Sequence, residues 1–437
     1  MATEFSLGKL ALLVGGGPAP GINGVITSTT IEASNQGYEV IGFRDGFKWL
    51  SQGDATHFKP LSINDVTGIH LRGGSILGTS RANPTKSESD MKNVLKVLRE
   101  LGVKALVTIG GDDTAYSASQ VYKHAAGSIR VAHVPKTIDN DLPLPGSTPT
   151  FGFETARHHG VKIVRALAED AKTTSRWYII ISMGRAAGHL ALGMGKAAAV
   201  TLTIIPEEFR GRPVTLEELC DIMVGSIVKR RCEGSPYGVV VLAEGLIEAI
   251  GEKALLAAVN TGQLERYGRV TRDEHNHLRL GEIEFGRMLK DLLMSRLDSL
   301  GLKVSLIDKD LGYELRSADP IPFDAEYTRD LGYAAVKFIR SGEAAKYGAI
   351  ISFVGGKMQP LPFEQMIDPN TKRMQVRKVN VDGEAFECAR RYMIRLEKPD
   401  FEDAEQLGKL AKVVNLSPDD FRARFGYLVG LGKPPVA

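Results

Sequence analysis

Short apolar runs typical of buried β-strands alternate with helical patterns along most of this 437-residue chain. The predicted strands cover residues 10–14, 38–43, 105–109, 129–134, 177–182 and 238–242. Between them, apolar residues recur at helical spacing, as in Met91, Val94, Leu95 and Leu98. Repeated strand, turn, helix and strand predict an α/β fold in which mostly parallel sheets carry helices on both faces.

The composition is that of a globular protein, with 43% hydrophobic and 24% charged residues, and the length predicts two or three domains. Lys and Arg number 55 against 52 Asp and Glu, and a net charge of +3 is too small to predict a nucleic-acid or membrane partner. Cys220, Cys232 and Cys388 match no disulfide framework or zinc pattern. No signal peptide and no apolar run of about 18 residues is evident, so we expect a cytoplasmic protein.

Polar residues and glycines follow nearly every predicted strand, where sheets of this kind bind ligands. The first such turn, GGGPAPG (15–21), offers backbone N–H groups as an anion cradle, although a tight turn without a ligand is the alternative. The dinucleotide fingerprint fails because Pro20 occupies its third glycine position. A Walker A loop ending at Lys196 fails because Leu190 and Ala197 occupy two of its fixed positions.

The turn GGDDT (110–114) follows a predicted strand directly. Its glycines let the backbone approach a ligand closely. Asp112 and Asp113 can hold a divalent cation, since magnesium prefers one or two carboxylates together with phosphate oxygens. The alternative is that these residues only cap the following helix.

The turn PKTIDND (135–141) brings a cation, a hydroxyl and two carboxylates together after another strand. A carboxylate near a sugar hydroxyl can accept its proton during phosphoryl transfer. The alternative is an Asx-type turn, which Asp-Asn-Asp forms readily. Together with GGDDT, this turn favours a catalytic interpretation.

Taken together, these segments resemble the phosphofructokinase family over residues 10–355. The matching blocks occur in family order, and TIDND together with MGR and GGD is very specific. The blocks are GGGPAPGIN (15–23), RGGSILGTSR (72–81), IGGDDT (109–114), PKTIDND (135–141), GFETA (152–156), MGRAAGHLAL (183–192), PEE (206–208), AEG (243–245) and LGYELRSADPIPFDA (311–325).

The resemblance implies two doubly wound, mostly parallel-sheet α/β domains that face each other across a cleft. The expected donor domain contains residues 1–150 and about 315–362. The expected sugar-phosphate domain contains residues 151–314 and about 363–437. The chain would then cross between the domains more than once.

Two positions make the chain resemble the pyrophosphate-dependent type within this family. The ATP-using members have Gly where this chain has Asp113, and usually Gly where it has Lys136. At about 4 Å and an effective dielectric near 20, a carboxylate at position 113 repels the α-phosphate of ATP by roughly 4 kcal/mol. Lys136 offers a compensating cation to pyrophosphate.

The resemblance implies a role for each residue of the site. Asp139 is the general base on the 1-hydroxyl of fructose 6-phosphate, Thr137 and Arg185 complete the catalytic set, and Asp112 helps hold Mg²⁺. The residues expected around pyrophosphate are Gly16, Arg81, Asp113 and Lys136. Those expected around the sugar phosphate are Thr137, Asp139, Arg176, Met183, Gly184, Arg185, Glu207, Tyr313 and Arg316.

The resemblance also implies a homodimer or homotetramer with shared active sites, in which Arg176 reaches into the site of another subunit. A second Arg of this kind, expected shortly before LGY, is not evident, and Lys309 is the candidate to replace it. Tyr313 stands where ATP-using members often have His, so it is a departure from the family pattern.

The expected reaction converts fructose 6-phosphate and pyrophosphate reversibly into fructose 1,6-bisphosphate and phosphate. The nearest alternative is the same chemistry with ATP as the donor. A nucleotide kinase such as NAD kinase would explain GGDDT but not TIDND or MGR. A non-catalytic sugar-phosphate sensor or regulatory subunit should have lost Asp112, Asp139 or Arg185, and all three are present.

Overall fold

Strands and helices alternate in the computed structural model, which describes residues 7–259, 261–268, 271, 280–368 and 375–433. The strands in chain order are β1 (Lys9–Val14), β2 (Glu39–Phe43), β3 (Phe58–Pro60), β4 (Val103–Gly110), β5 (Arg130–Pro135), β6 (Trp177–Ser182), β7 (Leu202–Ile204), β8 (Gly238–Ala243), β9 (Leu306–Leu311), β10 (Ala349–Val354) and β11 (Lys357–Pro362).

The α-helices are α1 (Ile22–Asn35), α2 (Lys48–Ser51), α3 (Ile63–Val66), α4 (Glu88–Glu100), α5 (Asp112–Ala125), α6 (Phe153–Thr174), α7 (His189–Ala197), α8 (Leu216–Cys232), α9 (Leu246–Ala258), α10 (Thr261–Leu264), α11 (Phe285–Ser299), α12 (Tyr313–Arg316), α13 (Pro322–Arg340), α14 (Phe363–Met366), α15 (Glu384–Tyr392), α16 (Lys398–Glu402), α17 (Ala404–Val413) and α18 (Pro418–Phe425). Among the described residues, no helix is long and apolar enough to span a bilayer.

The chain divides into two compact units, and it passes from one to the other three times. The first unit takes Met1–His159 and Tyr313–Arg377, and the second takes Gly160–Gly312 and Lys378–Ala437. The first passage falls within α6.

These bounds correct the predicted ones, because residues 151–159 and the described part of residues 363–377 lie in the first unit rather than the second. Phe151 is buried in the core of the first unit, and the N–H groups of Gly152 and Thr155 donate to buried Asp324 at 2.9 and 2.8 Å. Phe363 and Met366 pack into the core of the same unit. Long-range packing of this kind leaves no local signal at a boundary.

The first unit is built on a seven-stranded sheet with the order β11-β10-β5-β4-β1-β2-β3 in the described part of the chain. The inner strands pair in parallel, while β3 and β11 are antiparallel at the two edges. Residues of β1 alternate between the two faces: Leu10 and Leu12 pack with α1 and α13, and Ala11 and Leu13 pack with α4 and α5. The sheet is therefore covered by helices on both faces, as the sequence predicts.

The strand order fixes where this sheet can bind a ligand. From β1 the chain passes to β2 and β3 on one side, and then to β4, β5 and β10 on the other. The order therefore reverses between β1 and β4. Ligands of doubly wound sheets bind outside the carboxyl ends of the strands at such a point.

The second unit contains a smaller, fully parallel sheet with the order β7-β8-β6-β9 in its described residues. Its core includes Phe401, Leu410, Phe421 and Phe425, so helices near the C-terminus complete this unit. A buried carboxylate fastens the same region: Asp221 accepts hydrogen bonds from Arg296 Nε at 2.5 Å and from Tyr427 Oη at 2.8 Å.

Candidate active site

Three of the sequence-predicted turns lie side by side at the carboxyl edge of the first unit's sheet. Strands β1 and β4 pair in register through Val14 and Ile109, and β4 and β5 pair through Gly110 and Pro135. The N–H of Lys136 then donates to Gly110 O at 2.7 Å. The turns after β1, β4 and β5 therefore leave the sheet at the point where its strand order reverses.

The side chain of Lys136 lies against the glycine turn after β1. It is 4% exposed, and its Nζ donates to Gly17 O. Gly16 has φ +80, and a Cβ there would lie 3.3 Å from Lys136 Nζ. A Cβ on Gly17 would lie 3.4 Å from Arg316 Cζ. Two cationic side chains thus flank a backbone whose conformation at position 16 favours glycine.

Burial lowers the pKa of Lys136 to about 8. Asp139 acts against this shift, while the neighbouring guanidinium of Arg316 adds to it. The ammonium is therefore still the major form at pH 7, although burial disfavours its charge and the nearby carboxylates of Asp139, Asp141 and Asp112 offset this effect only in part. A bound polyanion would stabilise the charged form further.

The two glycines at the ends of β1 and β4 make room for a buried threonine. A Cβ on Gly15 would lie 2.4 Å from Thr114 Oγ1, and one on Gly110 would lie 2.3 Å from Thr114 Cβ. Thr114 is in the first turn of α5. Close packing of this side chain therefore holds the start of α5 against the glycine turn.

Asp112 and Asp113 are exposed in the first turn of α5. The N-cap residue of this helix is Gly111, so neither carboxylate occupies the capping position that was the alternative interpretation of GGDDT. Their charges are favourable beside a helix N-terminus. Both carboxylates lie at the sheet edge where the phosphate donor is expected.

A buried histidine, His133, forms hydrogen bonds with β4 next to these turns. His133 Nδ1 lies 2.8 Å from Thr108 Oγ1, and its Nε2 lies 3.0 Å from Gly110 O. Burial lowers the pKa of His133 to about 3, so the ring is neutral. Because a carbonyl only accepts, Nε2 carries the proton and Nδ1 accepts from the Thr108 hydroxyl. A lone His in an apolar strand gives no sequence signal for this role.

The turn after β5 is held in an unusual conformation. Thr137 Oγ1 accepts the N–H of Asp139 at 3.0 Å, and Thr137 O accepts from Thr150 Oγ1 at 2.8 Å. Asn140 has φ +56, and its Oδ1 accepts the N–H of Thr150 at 3.1 Å. A left-handed Asn is uncommon and persists when its surroundings hold it. Asp139 is thereby fixed next to the charge of Lys136.

Two carboxylates from neighbouring turns are close enough to influence each other. Burial raises the pKa of Asp141, and the nearby Asp112 raises it further, whereas Thr137 and Arg377 oppose the shift. Among the described residues, no group of three or more His, Cys, Asp or Glu side chains converges as a metal site. One or two carboxylates with substrate oxygens are what Mg²⁺ prefers, so Asp112 fits the predicted metal role.

Arg81 adjoins the same glycine turn. Ser80 forms a parallel bridge with Gly15, and Ser80 O accepts the N–H of Gly16 at 2.8 Å. Thr79 Oγ1 donates to Gly16 O at 2.7 Å. The exposed side chain of Arg81 follows directly, so the structure places all four predicted pyrophosphate residues in the first unit.

Arg316 and Tyr313 also belong to the first unit. Both lie in α12, where the Arg316 guanidinium carbon is 4.9 Å from the centre of the Tyr313 ring. Tyr313 is 77% exposed. The resemblance implies a sugar-phosphate role for both, and the structure adds that Arg316 approaches the glycine turn and Lys136.

In the second unit, three of the predicted sugar-phosphate residues, Met183, Gly184 and Arg185, form the turn after β6. Gly184 has φ +130, its N–H donates to Glu244 Oε2 at 3.2 Å, and its carbonyl accepts the N–H of Gly245 at 3.2 Å. The N–H of Met183 donates to Leu311 O, at the end of β9, at 3.0 Å, and the Arg185 side chain is exposed. The turn thus presents Arg185 from a backbone fixed on both sides.

Glu207 and Glu244 accept hydrogen bonds from different backbone N–H groups. Glu207 Oε1 accepts the N–H groups of Gly188 at 2.9 Å and Val379 at 3.1 Å, and its buried Oε2 has no hydrogen-bond partner among the described residues. Glu244, to which the sequence assigns no role, hydrogen-bonds the turn after β6 itself. The signal for Glu244 was its place in AEG, directly after a predicted strand.

Arg176 lies at the other end of β6 from Met183. Its Nη1 is 3.8 Å from Asp170 Oδ2. A six-residue strand spans roughly 20 Å, so Arg176 and the turn after β6 lie at opposite edges of this sheet. Lys309 lies in β9, paired in register with Ile180 of β6.

Comparison with known proteins agrees with this geometry. Residues 9–339 match the family model described as phosphofructokinase. The chain is 52% identical to the pyrophosphate–fructose 6-phosphate 1-phosphotransferase of Thermotoga maritima, over 97% of this chain and 99% of that protein. It is 49% identical to the Naegleria fowleri protein of the same name, over 98% of each.

The fold is also that of a solved structure. The crystal structure of a pyrophosphate-dependent phosphofructokinase from Marinobacter aquaeolei superposes with a TM-score of 0.62 at 18% identity. The match covers 98% of this chain and 94% of that one. With the family model, the near full-length relatives and the ordered turns in agreement, this chain belongs to the phosphofructokinase family.

Proposed function

We propose that this protein moves a phosphoryl group from pyrophosphate to the 1-hydroxyl of fructose 6-phosphate, reversibly giving fructose 1,6-bisphosphate and phosphate. One observation carries the proposal: a buried lysine, Lys136, lies against the glycine turn at the switch point of the first unit's sheet. The names of the relatives that match almost all of the chain support the same reaction.

Pyrophosphate as the donor follows from the charges at this edge. Lys136 and Arg316 supply positive charge to a compact polyanion, and Gly16 allows its close approach. Asp113 lies in the first turn of α5, where its carboxylate repels the α-phosphate of a longer donor. Repulsion of roughly 4 kcal/mol at about 4 Å is enough to exclude ATP.

In this mechanism Asp139 accepts the proton of the 1-hydroxyl as that oxygen attacks the phosphorus. Thr137 holds the Asp139 backbone through its hydroxyl oxygen. Lys136, Arg316 and Arg81 stabilise the charge that develops on the transferred group and on the leaving phosphate. A divalent cation, proposed to be Mg²⁺ and held by Asp112, would neutralise pyrophosphate oxygens when bound.

The sugar phosphate is assigned to the turn after β6. Arg185 offers a planar fork that suits phosphate oxygens, and Met183 and Gly184 shape the turn. Glu244 joins this group through its hydrogen bond to Gly184, and Glu207 accepts the N–H of Gly188, three residues after Arg185. The predicted cleft that brings this turn to the donor stays a prediction.

The proposal includes a homodimer or homotetramer with shared sites, in the cytoplasm. The place of Arg176 at the far end of β6 supports sharing, and three free cysteines suit a reducing compartment. Mixing inactive Arg176→Ala and Asp139→Ala subunits tests the shared site. In a random dimer mixture, about a quarter of wild-type activity should return. No recovery despite proven subunit exchange contradicts sharing.

The test of the donor is turnover of fructose 6-phosphate with pyrophosphate and with ATP, side by side. Wild type should use pyrophosphate and barely use ATP. Asp113→Gly should raise ATP use, because it removes a like charge and opens space. Lys136→Gly alone should lower pyrophosphate turnover without helping ATP, and the double variant should favour ATP most.

Asp419→Gly is the matched control, because Asp419 is also an exposed second residue of a helix, α18. It should leave the ratio of kcat/KM for the two donors unchanged. If Asp113→Gly and the double variant also leave that ratio unchanged, Asp113 does not select the donor. A wild type that prefers ATP supports the ATP-dependent alternative.

A further inference from the structure

Arg377 lies far outside the residues that match the family model, yet it touches the turn that carries the proposed general base. It is the last residue of the first unit. The family match ends at residue 339, and no sequence motif singles out residues 375–380. The contact joins residues 237 positions apart in the chain.

The guanidinium of Arg377 uses three different nitrogens, two of them on Asn140 in this turn and one on Thr148. Its Nε donates to Asn140 O at 3.1 Å, its Nη1 donates to Thr148 O at 3.0 Å, and its Nη2 donates to Asn140 Oδ1. The backbone N–H of Arg377 donates to Asp141 O at 2.6 Å. Both oxygens of Asn140 and the next carbonyl are therefore bound by one residue.

Asn140 is the residue that most needs such support. Its φ of +56 is a left-handed conformation that costs a non-glycine residue free energy unless its surroundings hold it. Asp139 precedes it and Asp141 follows it. Arg377 holds the Asn140 side chain and the peptide groups on both sides of Asp141, and this stabilises the backbone that carries both neighbouring carboxylates.

The positive charge of Arg377 lies close to the carboxylate of Asp141. The side chain is half-buried, and burial lowers its pKa, while the nearby Asp141 opposes that shift. A guanidinium stays charged in such surroundings. Hydrogen bonds from a charged donor are about twice as strong as neutral ones.

We propose that Arg377 is a positioning residue for the reaction, which holds the 137–141 turn so that Asp139 meets the substrate hydroxyl. This inference rests on the proposed function. Lysine cannot replace Arg377, because one ammonium lacks the rigid planar fork whose three nitrogens reach three acceptors. The C-terminal segment is thereby part of the catalytic apparatus of the first unit.

The test compares wild type, Arg377→Ala, Arg377→Lys and the control Arg391→Ala. Arg391 is 78% exposed on α15 and pairs only loosely with Glu387, at 3.5 Å, so its loss removes the same charge without touching the turn. Arg377→Ala should lower kcat by about 100-fold, the effect of misplacing a catalytic group by about 1 Å. The KM values of both substrates should change by less than about threefold, since binding contacts remain.

Two further measurements separate positioning from general stability. Added guanidinium chloride, at concentrations that leave wild type unaffected, should restore part of the activity of Arg377→Ala but not of Arg377→Lys. Amide hydrogen exchange of the 137–141 segment should speed up in Arg377→Ala, while exchange in the β4 core stays as in wild type. Arg391→Ala should match wild type in every measurement.

Unchanged kcat in Arg377→Ala overturns the inference, as does loss of activity with uniformly faster exchange and no rescue. If Arg377→Ala does not fold, Arg377→Lys decides through its kcat and the exchange of 137–141. A wild type that turns over neither donor contradicts the proposed function instead. In that case the exchange measurement still decides whether Arg377 holds the turn.

Discussion

The two units hold their predicted site residues by different means. In the first unit, ionisable groups are buried close together, and burial displaces the pKa values of Lys136, His133 and Asp141. In the second unit, the turn after β6 is fixed by hydrogen bonds of the Gly184 backbone to the Glu244 side chain and to the Gly245 N–H, and its charged Arg185 is exposed. The first site is organised by charge and the second by shape. Variants should therefore fail in different ways on the two sides.

The largest effect is expected at the charge-organised site. Asp139→Ala removes the proposed general base and should lower kcat by about 10²–10⁴-fold. Binding of fructose 6-phosphate, measured by calorimetry, should remain largely intact, because the residues expected around its phosphate, among them Arg185, Tyr313 and Arg316, are unchanged in this variant. Near-normal kcat would show that Asp139 is a structural turn residue.

A shape change should break the second site instead. Gly184→Ala forces a side chain onto a backbone with φ +130, at a cost of about 1–3 kcal/mol. The KM for fructose 6-phosphate should rise by about tenfold, since roughly 1.4 kcal/mol corresponds to that factor. The KM for pyrophosphate should hardly move. Equal changes in both KM values would contradict the separation of the two roles.

The sequence predicts the features that depend on local signals, and it misses those that depend on contacts between distant residues. The turns after β1, β4 and β5 were predictable, because each carries its chemistry within seven residues of a strand end. His133 and Arg377 were not. Each acts through contacts with residues that are distant in the chain. No local motif marks such a single His or Arg.

The unit bounds show the same limit. Residues 151–159 comprise two residues before α6 and its first seven residues, and nothing local separates these seven from the rest of that helix. They join the first unit because Asp324, far along the chain, accepts their N–H groups. Tertiary hydrogen bonds of this kind are invisible to periodicity.

The pH dependence gives a finer test of the charge-organised site. Burial lowers the pKa of Lys136 to about 8, so the ammonium is lost as the pH rises through that value. Since kcat/KM reports the free enzyme, its value for pyrophosphate should fall above about pH 8, by up to tenfold per pH unit. Lys136→Arg should move this fall to higher pH, because a guanidinium stays charged. An unmoved fall would assign it to another group.

The smallest effect on catalysis, and a large one on stability, is expected from a charge that is buried in α8 of the second unit. Asp221 is fully buried and accepts from Arg296 and Tyr427. Asp221→Asn leaves Arg296 without its counter-charge. Breaking a buried pair from one side costs about 3–5 kcal/mol of the free energy of unfolding.

Urea unfolding should show this loss while kcat and both KM values stay within about twofold of wild type, as expected for a residue with no contact to substrate. The control is Glu387→Gln, which breaks an exposed pair with Arg391 and should cost less than about 1 kcal/mol. If Asp221→Asn instead raises the KM for fructose 6-phosphate, the second site depends on buried charge as the first one does. The contrast between a site organised by charge and one organised by shape would then be lost, because both turns would need an ion pair beneath them.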